Sequence, residues 1–228
     1  MESQRRPSVW NYSLNAGVKM KFLVGSLFVM GISISTGTAA SPPKQLGGIW
    51  ASNGQSPSGA KIIWSPNRQL GLKETADGLS LAGKKVALLR QILSPPSLTE
   101  VIWASDSKGF VVNASDGGAV GTWKAYLYLF SPDGQLLPRN LDALISSKVR
   151  NFPHCIDQEA ANFGAVGWMS NDEELLVVVE VPPHSSCQNA GAIEGFRVDV
   201  TSWKVTARIP EPRLRQDWKQ YLGNRLVP

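Results

Sequence analysis

The sequence has few of the side chains on which most catalytic and metal sites depend. Its 228 residues include two histidines and two cysteines. It also lacks the G-x-S-x-G, H-E-x-x-H, C-x-x-C and P-loop motifs, which argues against the common hydrolases, zinc proteases, thiol redox proteins and nucleotide-binding enzymes. The composition therefore favours a non-catalytic protein that needs no cofactor.

Also missing is an apolar run long enough to span a bilayer comfortably. The run from Phe22 to Ile34 is short, follows two lysines and is followed by small residues that end at Ala40. This order predicts a secretory signal peptide over residues 1–40, with Met20 as an alternative start of translation. No cysteine lies at the cleavage point, which argues against a lipoprotein. We therefore expect a periplasmic or secreted protein without a transmembrane segment after cleavage.

Positive charge is concentrated in the predicted signal peptide. The net charge of the whole chain is +5, but the first 40 residues hold four basic residues and one acidic residue, which leaves about +2 for the remainder. A balance this small argues against nucleic-acid binding. Bases again outnumber acids from Lys204 onward. Arg213, Arg215 and Lys219 are the candidate partner-binding residues there, and weak contact with a membrane surface is a further reading.

The rest of the sequence predicts a single β-rich domain. Residues 41–60 are rich in Pro, Gly and Ser and predict a flexible lead-in, and residues 61–228 are long enough to bury one core. A strand-turn-strand is predicted within Ile62 to Lys73. Further strands are predicted at Lys84 to Ile92, Glu100 to Ala104, Gly109 to Ala114, Thr122 to Ser131, Gln135 to Leu137, Ala165 to Met169, Glu174 to Val181, Ala192 to Val200 and Lys204 to Ile209. Short helices are predicted at Leu141 to Val149, capped by Asn140, and at Glu211 to Leu222.

Two kinds of strand alternate along this domain. The segments 125–130 and 175–181 are apolar at nearly every position, which predicts interior strands that are covered on both faces. The segments 196–200 and 203–209 alternate apolar and polar residues, which predicts strands with one face in water. The chain is therefore expected to be an all-β protein of antiparallel, four-stranded sheets.

A short turn motif that begins with an aromatic residue recurs before the apolar strands. It occurs as Trp64-Ser65-Pro66-Asn67, as Trp103-Ala104-Ser105-Asp106 and as Trp168-Met169-Ser170-Asn171, and a similar Phe130-Ser131-Pro132-Asp133-Gly134 falls at a late hairpin. Four-stranded units that begin with such a turn resemble the blades of TolB-type β-propellers, of which about three divergent copies can be counted. The resemblance implies loops that meet partners at one end of the fold. A small closed ring, an open stack of sheets and an unrelated β-sandwich remain alternatives.

Cys155 and Cys187 both follow the signal peptide, and in an oxidising compartment such a pair predicts a disulfide. The bond would bring the loops that carry His154 and His184 together. With Asp157 and Glu159 on the first loop, these residues are a candidate site for Zn²⁺ or Cu²⁺. Two surface histidines placed by a stabilising disulfide are the simpler reading.

Taken from the sequence, the favoured function is that of an exported, non-catalytic binding or assembly module of the cell envelope with a protein partner. The alternative from another class is a metal-binding protein or metal-dependent hydrolase that uses the His154 and His184 loops. Metal analysis of the purified protein separates the two.

Overall fold

The described part of the chain comprises residues 49–57, 61–75, 78–82, 98–115, 117, 122–148, 160–187 and 189–227 of a computed structural model. All of these residues belong to one unit, Pro42–Pro228. The predicted signal peptide, the predicted strand Lys84 to Ile92 and the loop around Cys155 lie outside the described residues.

The described residues form eleven strands and two short α-helices, which confirms the predicted all-β class with an internal and a C-terminal helix. In chain order the elements are β1 (Ile63–Trp64), β2 (Gly71–Thr75), β3 (Gly78–Ala82), β4 (Thr99–Trp103), β5 (Gly109–Ser115), β6 (Trp123–Phe130), β7 (Leu136–Asn140), α1 (Leu141–Ser146), β8 (Asn162–Met169), β9 (Glu174–Glu180), β10 (Ile193–Asp199), β11 (Lys204–Ile209), α2 (Glu211–Asp217) and a 3-10 turn at Lys219–Tyr221.

The strands form three antiparallel sheets, and each sheet follows the chain as a simple meander. Sheet 1 has the order β1-β2-β3, sheet 2 has the order β4-β5-β6-β7, and sheet 3 has the order β8-β9-β10-β11. Neighbours in a meander need only tight turns, which the Asp, Asn, Pro and Gly residues between the strands provide.

Sheet 1 confirms the turn predicted after Trp64. The segment from Ile62 to Lys73 is a hairpin, because the chain reverses between Trp64 and Gly71. The Ser65 hydroxyl accepts a hydrogen bond from the Leu70 amide at 3.2 Å, and the Ser65 amide donates to the Leu70 carbonyl at 2.8 Å. A serine side chain that bonds nearby backbone in this way competes with strand pairing and favours the turn.

The sheets pack face to face in chain order. Ile63 and Leu72 of sheet 1 meet Phe110 and Val112 of sheet 2 in one buried cluster. The opposite face of sheet 2 meets the inner face of sheet 3 in a second cluster, whose buried members include Val111, Leu127, Val177, Val179, Phe196 and Val198. Strands β5, β6 and β9 therefore lie between two apolar layers, which was predicted for β6 and β9 from their unbroken apolar segments. Strand β11 is the edge of sheet 3 and alternates exposed and half-buried residues, also as predicted.

Both helices are shorter than expected. Asn140 caps α1 by accepting a hydrogen bond from the Ala143 amide at 3.0 Å, which confirms the predicted cap. Helix α2 ends at Asp217, and the chain continues in a 3-10 turn up to Leu222 rather than as one helix. Trp218 departs from helical geometry, with a φ of −123°, where its indole packs on the core.

The two ends of the described chain pair with each other over the outer face of sheet 3. Trp50 is fully buried there with Leu214, Leu222 and Leu226. Its ring lies where a side chain on Gly164 would be, since a Cβ on that glycine would approach Trp50 to 2.0 Å. Residues 49–57, part of the predicted lead-in, are thus packed into the fold. Among the described residues the three sheets form an open stack, and no closed propeller ring is identified.

Candidate functional site

The three aromatic turns occupy equivalent places in the three sheets. Each joins the first strand of its sheet to the second, and the turns bond to one another from sheet to sheet. The Asn67 amide donates to the Ser107 hydroxyl at 3.1 Å, and the Ser105 hydroxyl and Asp106 amide both donate to Asp172 Oδ2, at 2.5 and 2.9 Å. The aromatic turn motif that recurs in the sequence therefore forms a continuous row of turns along one side of the three packed sheets.

The tryptophans of these turns form a second series of contacts, the tryptophan ladder of Trp64, Trp103 and Trp168. Trp103 Nε1 donates to the Ile63 carbonyl of sheet 1 at 3.2 Å, and Trp168 Nε1 donates to the Ile102 carbonyl of sheet 2 at 3.2 Å. In both cases the acceptor is the residue just before the tryptophan of the preceding sheet. Each indole thus ties its own sheet to the one before it.

Trp64 is the first member of the ladder and differs from the other two. The Ile63 side chain is buried against sheet 2, so the next side chain along the strand, Trp64, points to the opposite face. Its indole is 48% exposed, and its Nε1 has no hydrogen-bond partner among the described residues. The ladder therefore ends in an aromatic side chain that the described part of the chain does not cover.

A cleft of about 510 Å³ opens beside this indole, and we call it the Trp64 cleft. Its lining residues are Gln55, Ile62, Trp64, Ser65, Pro66 and Arg68. The indole lies across Gly71, where an added Cβ would meet Trp64 Cε3 at 3.0 Å, so the missing side chain lets the ring rest on the strand. The ring therefore contacts the sheet and stays about half exposed.

Hydrogen-bonding groups in the Trp64 cleft fall into two kinds. The Ser65 hydroxyl is occupied, because it bonds to Asn67 Oδ1 at 2.9 Å and to the Leu70 backbone. Arg68 is exposed at a turn position with a φ of 58°, and its guanidinium makes no ion pair or hydrogen bond with a described residue. Trp64 and Arg68 carry only hydrogen-bond donors in their side chains. The indole and the guanidinium can therefore receive an acceptor or an anion, and the Gln55 carboxamide adds both a donor and an acceptor.

A second cleft, of about 340 Å³, lies farther along the row of turns and is lined by Asn53, Ser105, Trp168, Asp172 and Tyr221 among others. Asp172 is committed to the turns of sheet 2, as described above. Glu174, two residues later, accepts a hydrogen bond from the Arg197 guanidinium. This hydrogen bond lowers the pKa of the Glu174 carboxyl. The run of acids from Asp172 to Glu174 is thus divided between two structural roles.

The interior contains a polar network that the sequence analysis missed. Glu100 accepts hydrogen bonds from the Trp50 and Ala51 amides at 2.9 and 3.0 Å and from Asn113 Nδ2 at 3.2 Å. Asn113 in turn exchanges two 2.8 Å hydrogen bonds with the Ala165 backbone across the sheet boundary. Burial raises the pKa of Glu100, while its hydrogen bonds oppose the shift.

The same interior holds a buried ion pair at the other end of the network. Arg225 Nη2 lies 2.6 Å from Glu180 Oε2, and both side chains are 3% exposed. The guanidinium is 4.8 Å from the centre of the Trp50 ring and 5.3 Å from that of Trp123. Asn162 links the pair to strand β6 by donating to Glu180 and accepting from the Trp123 amide. These groups are enclosed, so they hold sheets 2 and 3 and the two chain ends together and do not form an open site.

The predicted metal and disulfide residues fall largely beyond the described residues. His154, Cys155, Asp157 and Glu159 lie outside them, and His184 is exposed in the loop between β9 and β10. Within the described part of the chain no group of three or more His, Cys, Asp or Glu residues could hold a metal ion. Cys187 is not a free cysteine. The pairing of Cys187 with Cys155 and the metal site remain predictions.

The predicted basic contacts on and after α2 differ in their surroundings. Arg213 Nε contacts Asp217 at 2.6 Å on the surface. Arg215 is half-buried, pairs with Glu211 at 2.7 Å and donates to the Leu226 carbonyl at 2.6 Å, so it anchors the C-terminal segment. Lys219 is exposed. Arg213 and Lys219 are thus the accessible members of the set.

No protein-family model and no curated protein matches the chain. None of the described helices is long and apolar enough to cross a membrane.

Proposed function

We propose that this protein is an exported, non-catalytic binding and assembly module of the cell envelope, periplasmic or secreted, that holds a protein partner in the Trp64 cleft. The observation that carries the proposal is the open end of the tryptophan ladder. Trp103 and Trp168 are used to join sheets, whereas the indole of Trp64 is 48% exposed and has no hydrogen-bond partner among the described residues.

An exposed tryptophan on a rigid support suits protein recognition. Tryptophan and arginine are the residues most enriched among those that dominate interface energies, and both line this cleft as Trp64 and Arg68. The indole rests on Gly71, so little side-chain freedom would be lost on binding. Large exposed apolar side chains are few in the described chain, since only Trp64 and Leu137 exceed 40% exposure.

A second contact on the terminal helix completes the proposal. Helix α2 packs on the outer face of sheet 3, where Leu214 lies in one buried cluster with Trp50 and Leu222. Arg213 and Lys219 offer positive charge there to an acidic partner surface or to membrane headgroups. Two separate contacts, one in the cleft and one beside the helix, are what an assembly module needs to join two components.

The test is site-specific photo-crosslinking in the native envelope. A photoreactive residue at exposed Pro66 reports on the cleft, and the same residue at Leu137, the other strongly exposed apolar position, is the matched control. We expect one defined adduct from Pro66, which disappears with Trp64→Ala, and no such adduct from Leu137. Arg213→Ala with Lys219→Ala tests the second contact in the same assay. Equal adducts from both positions, or an adduct that persists in Trp64→Ala, contradict the proposal.

A further inference from the structure

We infer that the Trp64 cleft recognises an acidic, proline-rich segment of its partner in the polyproline II conformation. This inference rests on the proposed function and names the chemistry of the recognised segment. It follows from three properties of the cleft: the kind of hydrogen-bonding groups it leaves unoccupied, the support of its aromatic ring, and the state of the neighbouring strand edges.

Donors predominate among the unoccupied side chains of the cleft, where the Gln55 carboxamide also carries an acceptor. The indole of Trp64 has one N–H and no acceptor, and the guanidinium of Arg68 has five N–H groups and no acceptor. Neither bonds to another described residue. A polyproline II segment is the complementary backbone, because its carbonyls have no internal hydrogen bonds and its prolines have no N–H to satisfy. The cation of Arg68 adds a preference for a carboxylate beside the prolines.

The ring is presented as polyproline ligands require. Proline-rich segments dock on exposed aromatic faces, and their preformed helix loses little entropy on binding. Trp64 contacts Gly71 and remains about half exposed, so part of its ring is open to the cleft. Pro66 and Ile62 give the cleft apolar sides, and Arg68 and Gln55 provide polar groups. This arrangement accommodates a proline ring on the indole with its carbonyls toward the donors.

Strand addition, the other common way to bind an extended peptide, is not available at this place. Strand β1 is the edge of sheet 1 and pairs with β2 through only two residues, Ile63 and Trp64. The edge of the neighbouring β4 is occupied, because Gln55 and Val101 exchange backbone hydrogen bonds of 3.1 and 2.8 Å. A partner strand would find two residues of free edge, whereas at least three or four are needed for a stable ladder.

The experiment titrates the full mature protein with synthetic peptides and follows the indole N–H signals by NMR, with the Trp64 signal assigned from its absence in Trp64→Phe. The probe is a capped peptide of three Pro-Pro-Glu repeats. The comparison peptides replace Glu with Lys or both prolines with Ala, and a galacturonic acid trimer represents an acidic glycan. We expect the Pro-Pro-Glu peptide to shift the Trp64 signal and to leave those of Trp103 and Trp168 in place, because these two are bonded inside the stack.

The variants make the assignment specific. Trp64→Ala should weaken binding at least tenfold, as expected for an aromatic anchor. Arg68→Gln should remove the preference for Glu over Lys, and Leu137→Ala should change nothing. Equal binding of the Lys or Ala peptide, no binding of any peptide, or a Trp64 shift caused only by the galacturonic acid trimer would overturn the inference. If the envelope gives a Trp64-dependent adduct but the peptides do not bind, the proposed function stands and the inference about the peptide fails. If the Pro-Pro-Glu peptide binds but the envelope gives no adduct, the proposed function fails and the recognition chemistry of the cleft stands.

Discussion

The buried ion pair between Arg225 and Glu180 offers the sharpest test of how this fold is held together. The perturbation is Arg225→Met, which keeps an unbranched apolar side chain of similar reach between the Trp50 and Trp123 rings but removes the charge. Glu180 would then be left in a site where its side chain is 3% exposed, with Asn162 as its remaining side-chain donor.

Removing one member of such a pair is costly because the other charge stays desolvated. The usual cost is about 3 to 5 kcal/mol. The loss of guanidinium contacts with Trp50 and Trp123, at 4.8 and 5.3 Å, adds to it, by about 0.5 to 1 kcal/mol each, and the packing of the methionine offsets part of this. We expect the free energy of unfolding to fall by about 4 kcal/mol.

Urea unfolding of the purified protein, followed by tryptophan fluorescence, measures this loss. With a slope of about 2 kcal/mol per molar urea, the midpoint should fall by about 2 M. Arg213→Met is the matched control, because Arg213 also pairs with a carboxylate but its side chain is 69% exposed. Its effect should stay below about 0.5 kcal/mol.

A double-mutant cycle decides whether the unpaired, buried charge of Glu180 causes the loss of stability in Arg225→Met. Adding Glu180→Gln to Arg225→Met removes the buried charge and keeps an oxygen for Asn162. The double variant should therefore be more stable than Arg225→Met alone by about 2 kcal/mol. If the two changes simply add, or if Arg225→Met behaves like Arg213→Met, the reasoning is refuted.

Three further predictions concern other parts of the chain. Burial raises the pKa of Asp142 to about 6, so stability should fall as the pH rises from about 4 to about 6. Asp142→Asn, which keeps an acceptor for the Ala125 amide, should flatten that slope in unfolding measured against pH. Non-reducing mass analysis should find no free thiol, and Cys187→Ser should lower Tm by several degrees if Cys155 is its partner. N-terminal sequencing of the exported protein should begin at Ser41, and an intact signal segment would contradict this.

Strand positions could be predicted because they depend on local alternation and turn chemistry. The strand predicted at Thr122 to Ser131 is observed as Trp123–Phe130, and the one predicted at Lys204 to Ile209 is observed with the same limits. The hairpin of sheet 1 could be predicted from its turn residues, whereas the hydrogen bonds of Ser65 that close the turn are visible only in three dimensions.

The site could be predicted only in part, because its properties depend on which sheet follows which. The aromatic turns are visible in the sequence, but nothing local separates exposed Trp64 from the bonded Trp103 and Trp168. The buried network was hidden for a related reason. Glu180 inside an apolar strand signals a buried charge, but its partner Arg225 is 45 residues away along the chain. Long-range pairing of this kind leaves no periodic pattern to recognise.

The pairing of the two chain ends sets the order in which the protein can fold. Ile49 N donates to Asn224 Oδ1 across 175 positions of sequence, and the Gly223 amide donates to the Trp50 carbonyl at 2.7 Å. These contacts cannot form until the last residues have left the ribosome, and contacts between distant residues also slow folding. Sheet 3 keeps an uncovered apolar face until then. Loss of residues 223–226 would therefore leave this face permanently uncovered, however well the three sheets themselves had formed.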